Sequence, residues 1–256
     1  MITKVLIQKL PETGEFGDAN TYSAWYGFQK LGMWTESYFW KDLNAGNVEL
    51  SRETLVVGGI LPVRTALERL GCPPPLNVDY PDALLPFLRR KVWKSTLRAV
   101  RASCMDDHLP TPVFIKPITG HKDFTGHTVF KFRDLIKTAG HPLDMPVWAS
   151  EVVNFQSEFR GFVRRGKLVG LRHYTGDPLC FPDPAVVRDA VATYEASGEA
   201  PVAYTIDMGV LDTGETALIE INDGFAFGTY GLAWDTHARM LRDRWCQMVG
   251  LPLDVG

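Results

Sequence analysis

Residues 203–222 read AYTIDMGVLDTGETALIEIN, and the reading of this stretch decides the fold. From Ala203 to Leu211 the residues alternate. Tyr204, Ile206, Met208 and Val210 fall on one side and Thr205, Asp207 and Gly209 on the other, the period-2 pattern of a strand with one buried face. A second strand is expected from Thr216 to Asn222, with turn chemistry at Asp212-Thr213-Gly214-Glu215 closing a hairpin. With a four-residue loop, Leu211 pairs with Thr216, which sets Asp207 opposite Glu220 and Thr205 opposite Asn222. Like charges opposed on a sheet face destabilise it. A divalent cation is the simplest reason to keep them, because Asp, Glu and Asn are hard oxygen ligands of the kind Mg²⁺ takes. A solvated face on which the acids repel weakly accounts for them equally well, and a slip of one residue would move either acid. If the cation is the reason, removing Asp207 or Glu220 costs metal-dependent turnover and relieves repulsion in the metal-free protein.

Around this hairpin the composition is that of an ordinary globular protein, with enough apolar residues over 256 positions for a sizeable core or two abutting lobes. A formal charge of −3 and a pI near 6.1 argue against a dedicated nucleic-acid or anionic-membrane binder. No apolar run has the length of a membrane span, and the first residues are too briefly apolar for a signal peptide, so a cytoplasmic protein is expected. Cys72, Cys104, Cys180 and Cys246 are isolated, which fits a reducing compartment and small core residues. The six histidines lack ligand spacing and are read as surface or turn residues.

Upstream, strands at Lys4 to Leu10, Glu36 to Trp40 and Thr54 to Ile60 alternate with helices at Asn20 to Leu31 and Leu61 to Leu70, which predicts a small α/β lobe with a largely parallel sheet. Pro73-Pro74-Pro75 opens a connector to Pro81, placing a boundary between an N-terminal lobe, 1–80, and a second domain, 81–256. A helix is expected from Asp82 through Ala102, its solvated face carrying Arg89, Arg90, Lys91, Lys94 and Arg98. Then come a strand from Val113 to Lys116, a loop with Gly120, Lys122 and Gly126, a strand from His127, a short helix from Phe132 to Ala139 and a strand from Val147 to Val153. Glu158 to Val163 and Lys167 to Tyr174 form a second hairpin whose simplest register puts Glu158, Arg160 and Phe162 on one face and Arg172 on the other. Helices are expected at Pro184 to Ala196, capped by Asp183, and at Asp235 to Val249, with Met240, Leu241, Trp245 and Met248 as a core-facing stripe.

In chain order the segments PVFIKP, KDFTG, SEVVNFQSEFRGFV, GKLVGLRHY, TIDMGV and IEIND together resemble the ATP-grasp superfamily, from about Lys91 to Trp245. The resemblance is strongest where Asp is followed across a hairpin by Glu-x-Asn. It implies an α+β fold in which two subdomains clamp ATP behind a small N-terminal α/β lobe. It further implies that Lys116 contacts the α- and β-phosphates with Lys94, or Lys91, as the second phosphate lysine, and that Lys122 and its loop cover the phosphates. Glu151, Val152 and Val153 become the adenine hinge and Glu158 the ribose ligand; Asp207, Glu220 and Asn222 hold Mg²⁺ or Mn²⁺. Arg160 and Arg172 become the arginines at the transferring phosphoryl group; because the simple register sets them on opposite faces, either a β-bulge brings both to the site or one of the two assignments is wrong, with Arg160 the better supported. The loop TGHKDFTG is shorter than in many relatives, and DGFAFGTYGL lacks the proline and arginine frequent there. The implied activity is an ATP-dependent carboxylate–amine ligase acting on small molecules or peptides, with a phosphotransferase or a non-catalytic nucleotide-binding module as alternatives.

Overall fold

The computed structural model describes residues 1–11, 13–104, 108–118 and 123–253. Lys4–Lys9 (β1), Thr35–Phe39 (β2) and Thr54–Val57 (β3) form a three-stranded parallel sheet in the order β2-β1-β3. Its strands are joined by Ala19–Lys30 (α1) and Trp40–Asn44 (α2), and Ile60–Arg69 (α3) follows the last of them. Parallel strands need crossover connections, and here helices provide them, burying Val5, Ile7 and Leu55 on the sheet beneath. Asp18 caps α1 by accepting hydrogen bonds from the backbone N–H groups of Asn20 and Thr21.

The expected helix over 82–102 is not formed. Asp82–Phe87 is a 3₁₀ turn holding Pro86, Arg89 sits at φ +53°, Val92–Thr96 is a strand (β4), and only Leu97–Ala102 is helical (α4). Proline and a left-handed residue break the helical path, and Val92-Trp93-Lys94-Ser95-Thr96 is better suited to a pleated surface than to a helix. Lys94 is therefore a strand residue. With His108–Pro117 (β5), His127–Lys131 (β6) and Pro146–Glu151 (β7), β4 makes an antiparallel sheet in the order β4-β7-β5-β6.

Phe155–Arg164 (β8), Lys167–Gly176 (β9), Ala203–Leu211 (β10) and Thr216–Asp223 (β11) form a second antiparallel sheet, ordered β11-β10-β8-β9. One face, with Val163, Tyr204, Ile206, Met208 and Leu218, packs under Pro184–Ala196 (α5), which Asp183 caps. Strand β10 is buried on both faces rather than one, Thr205 and Asp207 included. Trp234–Val249 (α6) leaves this sheet and packs its stripe of Met240, Leu241 and Trp245 into the core of the parallel lobe. There α1 and α6 come so close that a Cβ on Gly27 would lie 2.2 Å from the Trp234 carbonyl oxygen.

The opposition of Asp207 to Glu220 and of Thr205 to Asn222 is present, but by a different route from the simple four-residue loop. Val210, not Leu211, faces Thr216, and a bulge between the pairs Asp207/Glu220 and Met208/Leu218 restores the register. Such a bulge disturbs the local ladder. Arg90 meets this region, its guanidinium donating to the carbonyls of Leu218 at 2.7 Å and Ile219 at 3.0 Å. This residue is thus part of the sheet's support and not of a solvated helical face.

Candidate functional site

Residues directly opposed in a sheet share a face, so a lateral row can be followed across all four strands of the second sheet. Glu220 on β11 faces Asp207 on β10, Asp207 faces Arg160 on β8, and Arg160 faces Arg172 on β9. The last pairing exists because β9 carries an extra residue, Val169, between the pairs Val163/Leu168 and Phe162/Gly170. This shifts the simple register by one and puts both arginines on one face; a second irregularity, between Glu158 and Phe159, lies beyond them.

Each acid in the row has a cation. Arg160 grips Asp207 with a two-pronged fork, Nε donating to Oδ1 at 2.8 Å and Nη2 to Oδ2 at 2.7 Å. Its guanidinium also lies 5.1 Å from the ring centre of Tyr230, which stacks on Tyr174, while the Tyr174 hydroxyl donates to Glu158 at 2.7 Å. The neighbouring acids are therefore compensated within the protein, Asp207 by this fork and Glu220 by Lys116. Arg172 is exposed, and its Nε donates to the Gly231 carbonyl at 3.2 Å.

The other half of the site comes from the facing sheet, where Lys94, Trp148 and Lys116 form a row across β4, β7 and β5. Lys91 precedes β4, and its backbone is tied to Glu151, its N–H donating to the Glu151 carboxylate and its carbonyl accepting from the Glu151 N–H. Lys94 lies over the Trp148 ring, its Nζ 5.4 Å from the centroid. Lys116 crosses between the sheets and donates to Glu220 Oε2 and to Asp79 Oδ1, both at 2.7 Å, with the Tyr80 ring centre 4.4 Å away. Burial disfavours its charged form, but Glu220, Tyr80 and Asp79 together outweigh this and hold the ammonium above the ordinary lysine range.

Asp79 carried no signal in the sequence beyond belonging to the connector. It is buried, sits at φ +48°, and its second carboxylate oxygen accepts from Trp148 Nε1 at 3.2 Å. Its carbonyl accepts from the N–H of Ile221 at 2.8 Å, tying the connector to the strand that carries Glu220 and Asn222.

Two cavities meet at Lys116. One, of about 430 Å³, is lined by Tyr80, Arg90, Phe114, Lys116, the segment from Glu151 to Phe155, Glu158 and Glu220. The other, of about 300 Å³, shares Phe114, Lys116 and Glu220 and continues past Asn222 to Phe225 and Ala226. The first thus gathers Glu151, Val152, Val153 and Glu158 beside Lys116. The Glu151 side chain is turned to structure, accepting from the Lys91 N–H at 2.9 Å. Lys122 lies outside the described residues.

As a metal-binding set, the side chains of Glu220 and Asn222 line the second cavity, and their chemistry fits a hard cation. Asp207 is 2% exposed, lines neither cavity and has both oxygens on Arg160. A carboxylate has lone pairs beyond those used by one fork, so Asp207 remains chemically able to join the set. Burial, partly opposed by Arg160, pushes its carboxyl up to about 6.

His237, read from sequence as a surface or turn residue, is buried on α6 with Nδ1 3.2 Å from Ser23 Oγ and its ring on Phe227. Burial lowers its pKa from 6.5 to about 4. The unfolded chain therefore binds the proton more readily than the folded one between those values, and stability falls as pH drops from about 6.5 through about 4, by on the order of 3 kcal/mol. Chemical denaturation of the wild type and of His237→Gln at pH 7 and pH 4 checks this. The variant is expected to lose less stability on acidification, and equal losses would show that the histidine is not kept neutral by the fold.

A family model described as an ATP-grasp domain, the second family of its clade, matches residues 87–240. The chain belongs to the ATP-grasp family. Among solved structures, this ATP-grasp protein is similar to D-alanine–D-alanine ligase from Bacillus anthracis, at 14% identity and a TM-score of 0.55, over 96% of this chain and 98% of that one. It is also similar to N5-carboxyaminoimidazole synthetase from Staphylococcus aureus, at 13% identity and a TM-score of 0.59, over 98% of this chain and 78% of that one. D-cycloserine synthetase DcsG is matched at 16% identity and a TM-score of 0.58, over 94% of this chain and 99% of that one. At these identities the likeness concerns the fold. No curated protein matches the sequence. Among the described residues no helix is long and apolar enough to cross a membrane.

Proposed function

We propose that this ATP-grasp protein is an ATP-dependent carboxylate–amine ligase, with residues 81–256 carrying the catalytic domain and 1–80 forming a companion lobe whose core Trp234–Val249 completes. The observation that carries the reading is Lys116, which lines both a cavity of about 430 Å³ and a second, largely apolar one. A nucleotide in the first would present its phosphates to an acceptor in the second.

On this reading the adenine lies against the backbone of Glu151 to Val153 and the ribose hydroxyls against Glu158. Lys116 and Lys94, with Lys122, neutralise the phosphates. Glu220, Asn222 and Asp207 would hold Mg²⁺, which when bound supplies charge neutralisation at the β- and γ-phosphates. A carboxylate is a poor electrophile, so the substrate carboxylate oxygen first attacks the γ-phosphorus and ADP leaves. The amine then attacks the acyl carbon and phosphate departs with the bonding electrons, while the amine proton passes to solvent. Arg160 and Arg172, side by side in their row, offset the negative charge of the acyl phosphate. These roles are positional and electrostatic and require no covalent enzyme intermediate.

Incubation with ATP, Mg²⁺ and pooled amino-acid and peptide acceptors, followed by mass analysis, tests the proposal. A ligase yields an amide together with ADP and free phosphate. Phosphate retained on an acceptor would replace the ligase by a phosphotransferase, and bound but unconsumed ATP would leave a binding module.

A further inference from the structure

The strained, buried Asp79 is not explained by nucleotide chemistry alone. An aspartate at φ +48° adopts a backbone conformation that glycine would take without strain. What a glycine or an asparagine would lack is two equivalent acceptor oxygens. Asp79 uses both, one for Lys116 and one for Trp148. An amide in its place has one acceptor and one donor group, so it must give up one of these two bonds.

The charge on Lys116 is therefore committed twice over, to Asp79 and to Glu220, at 2.7 Å each. One positive and two negative groups leave the triad with a net negative charge. A polyphosphate approaching it alone meets a neutralised lysine beside an excess acid. Glu220 can exchange its lysine for a divalent cation. Asp79 is fixed by Trp148 and, through its backbone, by Ile221, and these contacts keep it beside the lysine.

We propose that Asp79 is a positioning residue that makes nucleotide binding dependent on a divalent cation. It holds Lys116 in the triad until Glu220 is taken by the metal, and only then is a lysine donor released toward phosphate. The inference rests on the nucleotide site proposed above and adds to it a residue from the connector between the lobes.

The test is calorimetric titration of the full chain with ATP, in excess EDTA and in excess MgCl₂. Binding by the wild type in MgCl₂ comes first: its absence would overturn the nucleotide site itself, before any variant is compared. Given that binding, Asp79→Asn is expected to raise the affinity for metal-free ATP on the order of tenfold, the worth of freeing one charge-assisted donor of Lys116 for phosphate. The ratio of affinities with and without Mg²⁺ shrinks correspondingly. Asp79→Gly, which suits the backbone angle, makes the same measurement if the asparagine variant folds poorly. In a Lys116→Ala background the substitution at 79 is expected to leave the ratio unchanged, because its effect acts through the lysine. An unchanged ratio in the single variants, an equal loss of affinity under both conditions, or an effect that persists without Lys116 would each overturn the proposal.

Discussion

Lys116→Ala is expected to weaken binding of ATP with Mg²⁺ by about a hundredfold, the loss of one or two charge-assisted hydrogen bonds. The side chain stands at the junction of both cavities and is the cation that reaches from one sheet to an acid of the other. Its removal has a second consequence. Asp79 and Glu220 are left facing each other without the ammonium that separates them, so the metal-free variant should also melt below the wild type. Calorimetry well under the melting temperature, with circular dichroism to establish that the variant is folded, separates the two effects. Unchanged affinity would remove Lys116 from the site.

Asp207→Ala carries the larger stability effect. Opposition to Glu220 alone suggests that truncating Asp207 relieves repulsion and stabilises the metal-free protein. The Arg160 fork reverses that expectation. Truncation leaves a guanidinium largely buried against Tyr230 with its two strongest acceptors gone. Removing one partner of a buried pair costs roughly 3–5 kcal/mol. For a chain of this size that is on the order of 10 °C in melting temperature. Thermal denaturation in EDTA measures it directly, and a variant as stable as the wild type would mean that the fork contributes little. The double variant Asp207→Ala with Arg160→Met should recover part of the loss, because no unpaired charge then remains.

The elements most legible in the sequence were those whose pattern is local. The alternation from Ala203 to Leu211, the helix capped by Asp183 and the strand–helix alternation before residue 71 all appear with ends shifted by a few positions at most. The segment from Asp82 to Ala102 misled because its basic residues fall at spacings that a helix or a strand can accommodate. Pro86 and the left-handed Arg89 decide the matter, and only the first is visible as a residue type. Bulges were the harder problem. An irregularity in β11 lets Asp207 face Glu220 despite a different loop, and one in β9 brings Arg172 alongside Arg160. Neither leaves a mark in side-chain alternation that can be read without its partner strand. Asp79 was invisible for a related reason: its meaning lies wholly in contacts with Lys116, Trp148 and Ile221, far along the chain.

The helix from Trp234 to Val249 closes the core begun by the first three strands, so an early part of the polypeptide is finished by a late one. Without that helix the parallel lobe's apolar surface would lack part of its cover. Excised as residues 1–80, the lobe would present the face of α1 that Gly27 offers to α6, a sticky patch with no cover of its own. These two distant stretches are thus one folding unit threaded through everything between them, and anything that loosens the late helix loosens the early lobe as well.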